Sequence, residues 1–151
     1  MKKYELTDDT ITVGGRILHR IKALKSFSDV EEGDLGGYVE KEDNLDHSGE
    51  AWVSGNARVY GNARVSGDAR VSGDARVSGK NDYAAAKGFG REYRTTTFFR
   101  LQDGGIGVRC GCFCGTLEEF REKVKETHKE SKMGKEYLML ADLMEYKFKN
   151  A

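Results

Sequence analysis

The stretch KGFGREYRTTTFFR, residues 87–100, gathers the side chains best suited to hold a phosphate. Lys87, Arg91, Arg94 and Arg100 supply cations, Thr95 and the two threonines after it supply hydroxyls, and the glycines open the backbone amides. A guanidinium fork matches phosphate oxygens in pairs, and a ring such as Phe89 or Tyr93 stacks on a base. The ligand-binding set these types predict is Lys87, Arg91, Tyr93, Arg94, Thr95 and Arg100, for a small phosphorylated, nucleotide-like ligand. No G-x-x-x-x-G-K-[ST] loop accompanies them. The alternative is a basic linker that feeds a half-buried strand.

Other chemistry is sparse. The three histidines, His19, His47 and His128, lie in three different segments, so no pattern of zinc ligands forms. Cys110, Cys112 and Cys114 alternate. On a strand they would share one face with Val108, which splays the sulfurs instead of wrapping them round an ion. They are expected to be small hydrophobes buried under the helix that follows. No catalytic residue, metal ligand or cofactor is predicted, and a binding protein is favoured over an enzyme.

Between these segments the chain repeats itself. Aligned on valine, HSGEAW, VSGNAR, VYGNAR, VSGDAR, VSGDAR and VSGKND cover residues 47–82. One large aliphatic and one small residue every six positions suit a parallel β-helix with three units to an 18-residue coil. Val53, Val59, Val65, Val71 and Val77 then point inward, and Ala51, Ala57, Ala63, Ala69 and Ala75 fill the tight corners. Arg58 and Arg76 fall on one wall, Trp52 and Arg70 on a second, and Arg64 on the third. Trp52 and Tyr60, large aromatics among serines, are the expected interface residues, together with Arg58 and Arg76.

V-x-G-[ND]-A-R resembles the hexapeptide repeat of the transferase-hexapeptide family. That resemblance implies a left-handed β-helix and a homotrimer. Acyltransferases of the group use a histidine base near an inserted loop. Here the repeats run uninterrupted, and only His47 lies on them, in the slot that valine fills elsewhere. Acyl transfer is therefore the weaker reading. The wider layout, Leu18–Leu24 leading to GDLGGYVE and a tail TTTFFR…VRCGCFCGTLEEF, is similar to small bacteriophage and gut-bacterial proteins. It implies a protein of the host cytoplasm, and a host defence signal is one ligand such a protein would sequester. The other function class is a structural module that docks a host or virion partner.

A stack of about two coils exposes unpaired backbone at both ends, so the flanks must cap it. Residues 1–46 give a hairpin, Thr10–Val13 and Arg16–Leu24 around Gly14-Gly15, then a degenerate first coil. Residues 83–151 give a connecting loop and a ββαα module. Its strands are Thr95–Leu101 and Ile106–Phe113, around Asp103-Gly104-Gly105. Thr116 caps a helix that runs to about His128, with Glu119 completing the capping box, and a second helix spans Lys135–Phe148. The predicted class is mainly β with an α+β tail: a short parallel β-helix, 47–82, capped on both sides. Twenty-five Lys+Arg balance 25 Asp+Glu, which gives no footprint of general nucleic-acid binding. No apolar run approaches a membrane span, and no leader precedes the first strand, so a cytoplasmic protein is expected.

Overall fold

A computed structural model of the chain describes residues 2–90 and 94–149. The protein is mainly β, with two helices at its C-terminal end. Strands β1 (Tyr4–Val13) and β2 (Arg16–Ala23) form the expected hairpin, with β1 starting six residues before the predicted Thr10. β3 (Leu35–Val39) pairs antiparallel with β2 and parallel with β5 (Arg58–Val59), which pairs parallel with β7 (Arg76–Val77). β4 (Trp52–Val53) pairs parallel with β6 (Arg70–Val71), and Leu45 bridges Val65 in the same sense.

These pairings carry the six-residue rule into three dimensions. Trp52 faces Arg70 and Arg58 faces Arg76, each 18 residues on, so three hexapeptides separate stacked neighbours. Val39 pairs with Val59 and Leu45 bridges Val65 in the parallel sense, so both stack beneath valines of the repeat. The inward valines and corner alanines of the repeat are buried in one cluster. The repeating glycines Gly55, Gly61, Gly67 and Gly73 have φ between 63° and 66°, the left-handed region where a side chain is strained.

Both ends of the stack are closed by the chain itself. In each rung alternate carbonyls turn back toward the preceding one, as Ala69 O accepting from Trp52 N–H shows. The first rungs therefore present open carbonyls. Strand β2 covers the β3 wall. On the other two walls the Lys3 ammonium donates to Ala51 O at 2.6 Å, and the Tyr4 hydroxyl donates to Leu45 O at 2.6 Å. At the far end Thr97 Oγ1 accepts from Arg70 N–H at 2.9 Å, and the Asp82 carboxylate accepts from Ser78 N–H at 2.9 Å. Unpaired edges template pairing with other chains, and these side chains remove them.

The C-terminal module departs from expectation in two places. The segment read as a connecting loop contains strand β8 (Tyr83–Phe89), because it pairs along β9 (Arg94–Arg100). The strand predicted over Ile106–Phe113 is broken. Gly111 turns at φ 58° and splits it into β10 (Ile106–Cys110) and β11 (Phe113–Thr116), paired antiparallel. The result is a four-stranded sheet, β11-β10-β9-β8, under helices α1 (Leu117–His128) and α2 (Lys132–Lys149). Thr116 and Glu119 form the capping box at the head of α1. Strand alternation in β9 divides the labour: Thr97 and Phe99 meet the repeat stack, while Thr96 and Phe98 face Cys110 and the helices. Leu117, Phe120 and Val124 of α1 bury against Tyr137, Ala141, Met144 and Phe148 of α2.

The cysteines correct the sequence reading. The turn at Gly111 places Cys110 on β10, Cys112 in the turn and Cys114 on β11. Only Cys110 is half-buried, and the other two are exposed. Among the described residues no group of three or more candidate ligands surrounds a metal position. Among them, too, no helix is long and apolar enough to cross a membrane.

Candidate functional site

The wall carrying Trp52 and Arg70 is not a free solvated face. Segment 24–30 crosses it, with Phe27 edge-on to Trp52 at 5.4 Å and Tyr4 edge-on at 6.4 Å. Trp52 is left 3% exposed, so its ring serves the chain's own packing and offers little to any partner. Tyr60 is 8% exposed; it packs with Val13, Leu18 and Tyr38, and its hydroxyl accepts from Arg76 Nε at 2.7 Å. These two interface candidates are covered from within. Arg58 and Arg76 remain on the outer β5–β7 wall, where Arg58 Nε is buried without a hydrogen-bond partner.

Where the covered wall meets the edge of the C-terminal sheet, a cleft of about 430 Å³ opens. Lys87 from β8 and Arg94 and Thr95 from β9 line it, so three of the six predicted ligand residues come together. Arg70 from the repeat and Arg109 from β10 join them. Asp29 lies between these two guanidiniums, 2.7 Å from Arg70 and 3.4 Å from Arg109. Burial alone would raise the Asp29 carboxyl. The charge and hydrogen bond of Arg70, with Arg109 behind it, outweigh that and hold it below the usual carboxylate range. Lys87 pairs with Asp68 at 3.1 Å, in the open. Arg109 Nε also donates to Gly111 O at 2.9 Å, which ties the cation to the β10–β11 turn. A Cβ at Gly111 would run into the Arg94 guanidinium, so glycine there lets that arginine lie across the turn.

The remaining predicted residues separate. Arg91 and Tyr93 lie outside the described residues. Arg100 sits on the helix side of β9, paired with Asp82 at 3.0 Å and stacked over Phe148 at 5.3 Å, so it braces the module away from the cleft. His47 is engaged on three sides. Its Nδ1 accepts from Lys3 N–H at 3.1 Å, which makes Nε2 the protonated nitrogen that donates to Glu42 at 2.8 Å, and its ring stacks on Tyr4 at 4.2 Å. Neither nitrogen is left to act as a base.

Arg70, Arg109 and Asp29 were not singled out by sequence. The repeat already put Arg70 on one wall with Trp52, since it takes the slot of Trp52 one coil later. Residues 51–67, 57–71 and 69–80 match the family model described as YdcK beta solenoid repeat. The hexapeptide region is similar to a β-solenoid repeat. The matches stay within that region and leave the flanks, with Lys87, Arg94, Thr95 and Arg109, outside them. The comparison with curated proteins gave no match.

Proposed function

We propose that this protein is a non-catalytic binding protein that holds a small phosphorylated ligand in the cleft between the repeat stack and the C-terminal sheet. One observation carries the reading: Arg70, Lys87, Arg94, Thr95 and Arg109, drawn from three separate stretches of sequence, converge on one cleft of about 430 Å³. Convergent polar groups in a cleft of that size are the usual form of a small-molecule site. Guanidinium forks and a hydroxyl suit phosphate oxygens. A scaffold with both ends closed holds such groups in place, which is what sequestration of a scarce signal in the host cytoplasm requires.

The repeat stack in this reading is a short left-handed parallel β-helix, and the protein assembles as a homotrimer through the wall of Arg58 and Arg76. Light scattering coupled to size-exclusion chromatography tests the assembly. The cleft itself is tested by thermal unfolding against a panel of mononucleotides, cyclic nucleotides and acyl-CoAs. A ligand at about 100 times its Kd stabilises by roughly 2.7 kcal/mol, several degrees for a chain of this size. A rise with phosphorylated ligands, reduced in Lys87→Gln and Arg109→Gln, is the expected result. A full panel with no rise refutes it.

A second reading, a module that docks a macromolecular partner, has its own observation. Along α2, Met139, Leu143 and Tyr146 are 64%, 57% and 69% exposed, on the side opposite the buried stripe. Co-purification of one defined partner that is lost on Leu143→Glu, with no ligand response, favours that reading.

A further inference from the structure

We infer that the free edge of β8 binds an extended acidic segment of a partner protein as an added strand. This surface is separate from the ligand cleft. β8 stands at one edge of the C-terminal sheet, whose order is β11-β10-β9-β8. At its start Arg100 N–H donates to Asp82 O at 2.8 Å, while Leu101 N–H, one residue on, turns the other way to Gly105 O. Hydrogen-bonded pairs alternate along an antiparallel ladder, so Ala84 and Ala86 bond to β9 as Asp82 does. Tyr83 and Ala85, and Lys87 after them, therefore turn their N–H groups outward. Among the described residues nothing bonds to the outward groups of Tyr83 and Ala85.

Elsewhere the fold guards its edges. Lys3, Tyr4, Thr97 and Asp82 close the ends of the repeat stack. β1, the other long edge strand, breaks register between Leu6 and Thr10 and carries the exposed carboxylates Asp8 and Asp9 there. Bulges and charges of this kind prevent pairing with other chains. On β8, Lys87 and the register shift at Gly88 guard only the last residues. Tyr83–Ala86 carries no charge, and its alanines let another backbone approach closely.

The groove beside this edge selects the charge of the incoming strand. It encloses about 400 Å³ between β8 and the third wall of the stack, lined by Asn62, Arg64, Ser66, Lys80, Tyr83 and Ala85. Its cations are Arg64, with Asp46 3.7 Å away, and the exposed Lys80, and no carboxylate lines it. Charges at the two ends of β8 are already matched, Lys87 by Asp68 and Asp82 by Arg100. An added strand sends alternate side chains toward the stack, where Asp or Glu would meet Arg64 and Lys80. A second copy of β8 fits less well. Strand alternation puts its Lys87 on the face of Tyr83 and Ala85, so it would carry a further cation into the groove.

Panning a display library of random octapeptides over the full chain tests this. Enriched peptides should carry Asp or Glu at alternate positions, and the best of them, made synthetically, should bind in calorimetry. Methylating one alternate set of its backbone amides should weaken binding about tenfold or more, while methylating the other set leaves it nearly unchanged, the signature of a strand paired along one side. Ala85→Pro removes an outward N–H and spares the β8–β9 ladder, so it should weaken binding by a similar factor with little change in Tm. Lys80→Glu should also weaken it, by severalfold. If Ala85→Pro disturbs folding, the methylated peptides keep the test sound. No enrichment, enrichment without alternating acids, or equal effects of the two methylated sets overturns the inference. A concentration-dependent dimer in light scattering that Ala85→Pro abolishes would show that a second copy takes the edge, and would overturn the acidic partner.

Discussion

Lys3 offers a quantitative test of how the repeat stack is closed. Its side chain is fully buried, its ammonium donates to Ala51 O at 2.6 Å, and Phe27 lies under it at 5.1 Å. Burial lowers its pKa from 10.5 to about 8, against the opposing pull of Asp46. The unfolded chain therefore holds this proton more tightly than the folded one. The cost is fully present below pH 8 and is relieved as pH rises from about 8 toward 10.5. At about 1.4 kcal/mol per unit, the shift amounts to about 3 kcal/mol. About 2 kcal/mol of that returns between pH 7 and 9.5. Tyr4 and Tyr137, both raised by burial, work in the opposite direction, but only once the pH reaches their unfolded value of 10. The window from pH 7 to 9.5 therefore isolates Lys3. Urea unfolding at the two pH values should show wild type gaining about 2 kcal/mol, a midpoint shift on the order of 1 M. Lys3→Met keeps the length of the side chain, removes the charge and should flatten this dependence. At pH 7 it trades relief of the buried ammonium for an unpaired Ala51 carbonyl, which costs about 1–3 kcal/mol, so its net effect there is small. An equal pH dependence in wild type and Lys3→Met refutes the account of this cap.

Three further outcomes follow from the same geometry. Thr97→Val preserves shape but strands the Arg70 N–H at the far end of the stack; it should cost about 1–3 kcal/mol and lower Tm by several degrees in calorimetry. Gly111→Ala adds a Cβ at positive φ against Arg94; it should destabilise by about 1 kcal/mol or more and weaken phosphate binding, whereas Gly104→Ala, open around its Cα, should spare binding. Thiol titration with a chromogenic disulfide should count two fast thiols, Cys112 and Cys114, and one slow one, Cys110, and three equally slow thiols would contradict the split hairpin.

The repeat was legible because its period is strict. Each valine and alanine fell where a count of six placed it, and even the allocation of Arg58 and Arg76 to one wall and of Trp52 and Arg70 to another followed from three units per coil. The breaks were less legible because they depend on tertiary neighbours. YAAAKGF reads as a loop until β9 is there to pair with it, and IGVRCGCF reads as one strand until Gly111 turns. Trp52 looked like an interface residue because nothing local shows that Phe27 will cover it. Half of the candidate site was visible for a related reason. Lys87, Arg94 and Thr95 lie within nine positions of one another, whereas Asp29, Arg70 and Arg109 are joined only by folding. Arg100 misled because a strand sends alternate side chains to opposite faces, and the helices claim that one.

The account's central claim, that a phosphate sits between Arg70, Lys87, Thr95 and Arg109, is tested most directly by mapping it on the backbone. A ¹⁵N–¹H correlation spectrum followed during titration with inorganic phosphate should show saturable shifts at the amides of Asp29, Arg70, Lys87, Thr95 and Gly111, while Arg58 and Arg76 stay still. Shifts that fail to saturate, or that centre on the Arg58–Arg76 wall, would contradict it.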